Sequence, residues 1–301
     1  MRTTEYWKTY VQETDVRDIM RSMQRSTFRS RGLVLNLCSF EKDTHAPSVL
    51  IIPATGCHSL MYAEVCYQLH CLGYNVFCFD FQGHGDSEGR RGDFTINDLV
   101  QNSNDAIKHI TAHFNDRIGV YGFSLGGLVA FYCALSNQGS KSLVCQNPGM
   151  LAEKEFREAL LLRWSGRMLI PFLPLMLKVI PWMKIPITLY LDWDAITSAD
   201  EKGALRTYLN DPDTLKWYTV RAAATQLLTP APLPPEELDI PVRFIVPNKD
   251  ALMPAAYVTS LFARLSRNNK DLVVTEGGHM DVLVHPTRTA RTMHEWFSRT
   301  V

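Results

Sequence analysis

Short apolar runs alternate with longer helical patterns through most of this chain, and that alternation is its most informative feature. Residues 48–53 (SVLIIP), 75–80 (NVFCFD), 118–122 (IGVYG) and 142–146 (SLVCQ) have strand length and are close to continuously apolar. Two later runs, 242–246 (VRFIV) and 272–275 (LVVT), continue the series. Strands of this kind are buried on both faces, as in a parallel sheet. Between them, apolar positions recur with helical spacing near residues 59–72, 95–113, 125–136, 255–265 and 281–298. Ahead of the first run the pattern predicts a helix over 4–23 and strands over 27–30 and 34–40. No internal repeat is present. The expected fold class is α/β, with a mostly parallel central sheet flanked by helices.

The alternation stops between residue 148 and about 238. That stretch holds ten of the sixteen prolines and four of the six tryptophans. It opens with a helical run over 152–167 and ends in TPAPLPPEE, residues 229–237, a stiff linker. For a chain of 301 residues, the reading is one α/β core, 1–147 and 239–301, carrying a helical cap, 148–238. Insertions of this length commonly form lids over active sites. Within it, residues 168–183 (MLIPFLPLMLKVIPWM) raise the question of a membrane span. A span needs about 20 predominantly apolar residues, and Pro171, Pro174 and Pro181 would chop any helix here. The segment is expected to rest transiently on a membrane surface or to line an apolar pocket, not to cross a bilayer.

Composition narrows the function classes without choosing one. Lys plus Arg and Asp plus Glu each number 31, for a formal charge of zero. No excess of either sign points to nucleic acid or another polyanion. With 46% hydrophobic and 21% charged residues, the chain is globular rather than disordered or collagen-like. The seven cysteines are odd in number and form no CxxC pair, so unpaired thiols are expected instead of a disulfide framework. Nine histidines occur without an HExxH motif or a Cys/His quartet of zinc spacing, and no metal or other cofactor is expected. The first nine residues are polar and charged, unlike a signal peptide. The expected location is cytoplasmic.

The sharpest chemical signal is Gly122-Phe123-Ser124-Leu125-Gly126, between the run IGVYG and a helical pattern. G-x-S-x-G at a strand-to-helix junction is a nucleophile elbow: flanking glycines permit a tight turn that lifts the serine hydroxyl beside a helix N-terminus. A serine needs a base, and the base an orienting acid. Following the elbow, the order should be acid and then histidine. Asp250 lies just after the run VRFIV, and His279 just after LVVT, so both sit on loops at the C-terminal ends of strands. His285 and His294 fall on the last helical pattern and read as surface or packing residues. A tetrahedral oxyanion needs two backbone donors. One is the amide of Leu125, and the loop after the first central strand offers the other, with Thr55 the best placed.

With these residues in hand, the chain resembles α/β-hydrolases of the monoacylglycerol lipase and lysophospholipase-like group. Besides the elbow it carries Asp80-Phe81-Gln82-Gly83-His84-Gly85-Asp86-Ser87-Glu88-Gly89-Arg90-Arg91-Gly92, similar to that group's D-x-x-G-H-G-x-S-x-G-x-x-G loop. The resemblance covers roughly residues 46–147 and 239–298, with a cap of matching position between. It implies the roles given above to Ser124, Asp250, His279, Leu125 and Thr55, and a structural role for His84. Two departures stand out. The group usually has His-Gly where this chain has Pro53-Ala54, and its acid loop has a glycine-bearing turn where this chain reads VPNKD.

The function expected from these residues is hydrolysis of a carboxylic ester through an acyl-enzyme, without a cofactor. Monoacylglycerol- or lysophospholipid-like substrates with an apolar acyl group fit best. Trp164, Phe172, Leu173, Met176, Trp182 and Trp193 are the candidate substrate wall, although residues at helical spacing are more often the cap's own core. Three alternatives stay open. An acyl thioesterase would use the same triad. A proline aminopeptidase or C–C hydrolase shares the fold and ranks lower, since no acidic cluster for an amine stands out. A non-catalytic ligand receptor on the same fold would keep the pocket without turnover. The partner is in each case a small molecule, and the oligomeric state is not legible.

Overall fold

The computed structural model describes residues 9–136, 139–159, 164–189, 191–196 and 198–301. Eight strands form the main sheet: β1 (Met23–Ser30), β2 (Leu33–Phe40), β3 (Ser48–Ile52), β4 (Asn75–Phe79), β5 (Ile118–Phe123) and β6 (Ser142–Gln146) come first. After the insertion, with its short strands β7 (Lys184–Pro186) and β8 (Trp217–Thr219), follow β9 (Val242–Pro247) and β10 (Lys270–Thr275). Their spatial order is β1-β2-β4-β3-β5-β6-β9-β10. β2 runs antiparallel to β1 and β4, and every pairing from β4 to β10 is parallel. This is the α/β-hydrolase fold.

Period-two burial builds the core. In β3, Leu50 and Ile52 join one apolar cluster with the helices Ile96–His113 and Leu125–Leu135. Val49 and Ile51 point the other way, into a cluster with Ala63–Cys71 and Pro286–Thr300. Helices on both faces explain why the central strands need no polar alternate positions. The helix Ile96–His113 starts where its chemistry says it should. Thr95 accepts from the Asp98 N–H, and Asp98 accepts from the Thr95 N–H, a reciprocal capping box.

Three expectations are corrected. β10 is an edge strand with only β9 beside it, and its side chains are partly exposed instead of buried on both faces. Of the helix expected over 4–23, residues 4–8 lie outside the described residues, and the helix observed is Val16–Ser22, capped by Asp15. Upstream, the Gln12 and Glu13 N–H groups donate to the Glu64 carboxylate at 2.8 Å each, so this backbone satisfies its donors across the fold and not within a helix. The last helix is broken at Pro286 into Asp281–Val284 and Pro286–Thr300, because proline has no N–H to continue the ladder.

The inserted residues join β6 to β9. They are not purely helical: β7 and β8 pair as an antiparallel ribbon, with Ile185 opposite Tyr218. Residues 160–163 of the expected helical run lie outside the described residues. Among the described residues no helix is long and apolar enough to cross a membrane. The seven thiols are free, and all but Cys71 are buried.

The pairing register lines up the strands' C-terminal ends. Ile52 pairs with Gly122, Phe123 with Gln146, Gln146 with Ile245, and Pro247 with Thr275. The chain leaves β3 toward β4 on one side and β5 toward β6 on the other. Their shared end is the crevice where an open parallel sheet places its ligand.

Candidate active site

Ser124 sits at the turn between β5 and the helix Leu125–Leu135, with φ 55° and ψ −124°. A non-glycine residue in this region is strained and persists only when its surroundings hold it. Those surroundings are glycines packed against backbone. A Cβ on Gly122 would fall 2.1 Å from the Gly126 carbonyl oxygen, and one on Gly126 would fall 2.3 Å from that of Ile52. Any side chain at either position would push the helix off the sheet.

The three sequence-predicted side chains converge. His279 Nε2 lies 3.2 Å from Ser124 Oγ, and His279 Nδ1 lies 2.8 Å from Asp250 Oδ2. With the Nδ1 proton given to Asp250, Nε2 is free to accept the serine proton. The Asp250 carboxylate is buried, and each of its oxygens is held. Oδ1 accepts from the Leu252 and Met253 N–H groups at 2.7 and 2.8 Å, while Oδ2 also accepts from the Asn147 side-chain amide. Burial by itself lowers the basicity of His279. The charge and hydrogen bond of Asp250, with a further contribution from the charge of Glu201, outweigh burial and leave its pKa above the ordinary 6.5.

Asn147 was not singled out from the sequence. It follows β6 directly, has φ 49°, and is fully buried. Its position at a strand's C-terminal end, like those of Ser124 and Asp250, is the signal that could have found it.

The amides of Leu125 and Thr55 have no hydrogen-bond partner among the described residues, so both are free to donate. The loop that carries Thr55 is held from both sides. From the core, Tyr62 OH accepts from the Ala54 N–H at 2.9 Å, and Asp80 Oδ1 accepts from the Ser59 N–H at 2.6 Å. From the insertion, Tyr208 OH donates to the Thr55 carbonyl at 2.9 Å and Tyr218 OH accepts from the Gly56 N–H at 2.6 Å. The peptide between Thr55 and Gly56 is thus gripped at both its oxygen and its nitrogen. His58 Nε2 lies 3.0 Å from Asp211 Oδ2, both groups buried.

Asp80 also accepts from the Asp86 N–H at 2.9 Å, tying the glycine-rich loop to the loop that carries Thr55. His84 packs among Phe81, Phe94 and Tyr218. Burial pushes its pKa down to about 4, so it is neutral. Among the described residues no three His, Cys, Asp or Glu side chains gather as a metal site requires.

Ser124 and His279 open into a narrow cavity of about 70 Å³. Its wall corrects the sequence expectation. Of the six candidates only Trp193 lines it; Leu173 lies in a small cluster with Ala224 and Leu227, and Met176 packs at that cluster's edge. Trp164, Phe172 and Trp182 face away from the cavity and are 78%, 57% and 61% exposed. The insertion contributes Leu151, Leu191, Trp193, Tyr208, Ala223 and Leu227, together with Gly149 and the polar Gln226. Helix Leu173–Val179 fully buries only Leu173; Met176 and Leu177 pack partly buried against the same cluster, and Leu175 and Val179 are exposed.

The chain is similar to known proteins in family and in fold. A family described as serine aminopeptidase, S33, matches residues 43–286. Human monoglyceride lipase is 32% identical over 125 residues, which is 39% of this chain and 41% of that protein. The match thus spans about two fifths of the length of that relative. Among solved structures, a soluble variant of monoglyceride lipase from Saccharomyces cerevisiae, in complex with a substrate analog, aligns with TM-score 0.75 at 18% identity. It covers 97% of this chain and 98% of its own. The monoacylglycerol lipase of Paleococcus ferrophilus aligns with TM-score 0.73 at 19% identity, covering 88% and 98%. At these identities the structural likeness speaks for the fold.

Proposed function

This chain belongs to the serine aminopeptidase S33 family of α/β-hydrolases, and from that premise we propose that it cleaves a carboxylic ester with an apolar acyl group through an acyl-enzyme on Ser124. The observation that carries the reading is the hydrogen-bonded line Ser124–His279–Asp250 at the floor of an apolar cavity. His279 Nε2 takes the Ser124 proton as Oγ attacks the ester carbonyl. The oxyanion that forms is held by the Leu125 and Thr55 amides. The imidazolium then returns its proton to the leaving alcohol, and water, activated by the same histidine, releases the acid. Asp250 orients the ring.

Residues 148–238 act in this reading as a cap that walls the acyl pocket. The described lining carries apolar side chains where an aminopeptidase substrate would want a carboxylate for its ammonium group. The name of the human relative makes a monoacylglycerol the first substrate to try. The outward face of the cap fits a lipid surface. Trp164, Phe172 and Trp182 are exposed, as are Arg167, Lys178 and Lys184, and no Asp or Glu lies between residues 164 and 189. Exposed aromatic and cationic side chains without acidic ones suit an anionic membrane interface.

The test is a panel of p-nitrophenyl esters, a monoacylglycerol, a lysophospholipid and an acyl-CoA, run beside Ser124→Ala. Ester turnover lost in the variant supports the proposal. Turnover of the acyl-CoA alone would make the protein a thioesterase, and binding without turnover a receptor.

A further inference from the structure

The triad does not account for one helix of the insertion, Ala199–Asn210, which touches both catalytic loops. Near its start, Glu201 is 7% exposed, and its Oε1 accepts from the Met280 N–H at 2.8 Å. That amide belongs to the residue after His279. The other oxygen of Glu201 accepts from Ser198 Oγ at 3.0 Å. The carboxylate reaches this place only because residue 278 is glycine: a Cβ there would stand 2.0 Å from Glu201 Oε2.

Near the end of the same helix, Tyr208 OH donates to the Thr55 carbonyl at 2.9 Å. Asp211, the residue that closes the helix, meets His58 of the oxyanion loop at 3.0 Å. Its carboxylate also accepts from Tyr10 OH and, at 2.7 Å, from the Asp213 N–H. Burial works against the charged form of Asp211, but these partners outweigh it and hold the group ionised, well below the usual carboxylate range.

Burying a carboxylate is unfavourable unless it is fully partnered. A segment that only roofed an apolar pocket would have no use for two of them. Here both are buried at opposite ends of one helix, and each is spent on a different catalytic loop. A rigid twelve-residue element that bonds to both loops fixes the distance between the base and the oxyanion donors.

We infer that Ala199–Asn210, with Asp211, is a positioning brace for the catalytic loops: Glu201 sets the base loop through Met280, and Tyr208 and Asp211 set the oxyanion loop through Thr55 and His58. The inference rests on the serine hydrolase reading above and extends it. The charged groups packed around the base loop are Asp250, Glu201, Asp281 with Arg288, His285, and the exposed pair Lys249–Glu276. Of these, Asp250 and Glu201 act on the imidazole, and the charge of Glu201 favours its protonated form.

The experiment uses the full chain with Glu201→Gln, Asp211→Asn and Tyr208→Phe. It measures kcat and KM for a soluble p-nitrophenyl ester across pH, Tm, and inhibition by a trifluoromethyl ketone, which binds as an oxyanion. Glu201→Gln keeps an acceptor for Met280 and removes the charge, so the acid limb of kcat/KM moves to lower pH while the ketone's Ki holds. Asp211→Asn and Tyr208→Phe leave that limb in place. They lower kcat roughly 10- to 100-fold at near-constant KM, and the ketone's Ki rises in proportion. A merely structural role would lower Tm without separating the variants in this way.

An acid limb that stays put together with an unchanged Ki overturns the brace. Tyr208→Phe removes a single oxygen, so it keeps the test decisive if Asp211→Asn does not fold. A wild-type protein that neither turns over the ester nor reacts with a fluorophosphonate overturns the hydrolase reading, and the brace with it. That result is distinct from an active wild type whose variants match it.

Discussion

Strand β3 and inserted residues 164–189 both read as apolar runs, yet they meet solvent on opposite terms. Every side chain of β3 is buried, because parallel neighbours fix its register and helices cover both faces. In the insertion Trp164 stands 78% exposed while Leu173, nine residues on, is buried. Apolar content alone does not choose a face. A strand's face is chosen by period two and a register that one slip would invert, and a helix's face by its polar side. Helix Leu173–Val179 has Lys178 as its one polar side chain, so its inward face could not be read from the chain.

That contrast predicts where substitutions should act on chemistry and where they should act on specificity or location. At the sheet's C-terminal edge the largest effect is expected from Asp250→Asn. It leaves the imidazole wrongly oriented and should lower kcat roughly 10⁴-fold, with a native circular dichroism spectrum. A near-native kcat in the folded variant would assign the acid to another carboxylate. Asn147→Ala removes one donor to Asp250 Oδ2 and should lower kcat roughly 10- to 100-fold, with KM little changed.

The same edge sets the pH dependence. In the proposed mechanism His279 must be neutral to accept the serine proton, and its pKa is raised by Asp250 and Glu201 against the opposing effect of burial. Activity should therefore be lost as pH falls through a value above 6.5, the ordinary histidine pKa. A kcat/KM profile with its acid limb below 6.5 would contradict that electrostatic picture.

In the insertion the expected effects are smaller. Each methylene buried against the pocket wall contributes about 0.8 kcal/mol, so kcat/KM should rise roughly fourfold per added carbon until the cavity fills. Leu191→Ala should flatten the series from acetate to decanoate, and a series already flat in the wild type would point to a small or polar substrate. The smallest effect on chemistry belongs to the outer face. Trp182→Ser should leave a soluble ester's kinetics unchanged while weakening sedimentation with anionic vesicles roughly 5- to 10-fold. Equal sedimentation would show that this face does not dock.

The same physics decides what the sequence could reveal. The convergence of Ser124, Asp250 and His279 was legible because each follows a short apolar strand, and a strand end in a parallel sheet has one place to go. The oxyanion loop was legible only in part. Thr55 could be placed from its strand, but its supports Tyr208, Asp211 and Tyr218 lie more than 150 residues away, in a segment without a readable period. Their contact with the loop is purely tertiary. The pocket wall failed for a related reason. Aromatic residues marked the insertion as apolar, and the strongest of them, Trp164 and Trp182, are exposed, whereas the wall includes inconspicuous residues such as Leu151, Leu191, Ala223 and Leu227. The early helix failed because Glu64, more than 50 residues on, takes the backbone donors of Gln12 and Glu13.

The central claim is that Ser124 carries the acyl group. Rapid acid quenching of the protein during turnover of p-nitrophenyl decanoate, followed by peptide mass mapping, tests it directly. The account predicts a decanoyl adduct on the peptide containing Ser124 and its disappearance in Ser124→Ala. A decanoyl adduct on another residue, or turnover that survives the substitution, would contradict it.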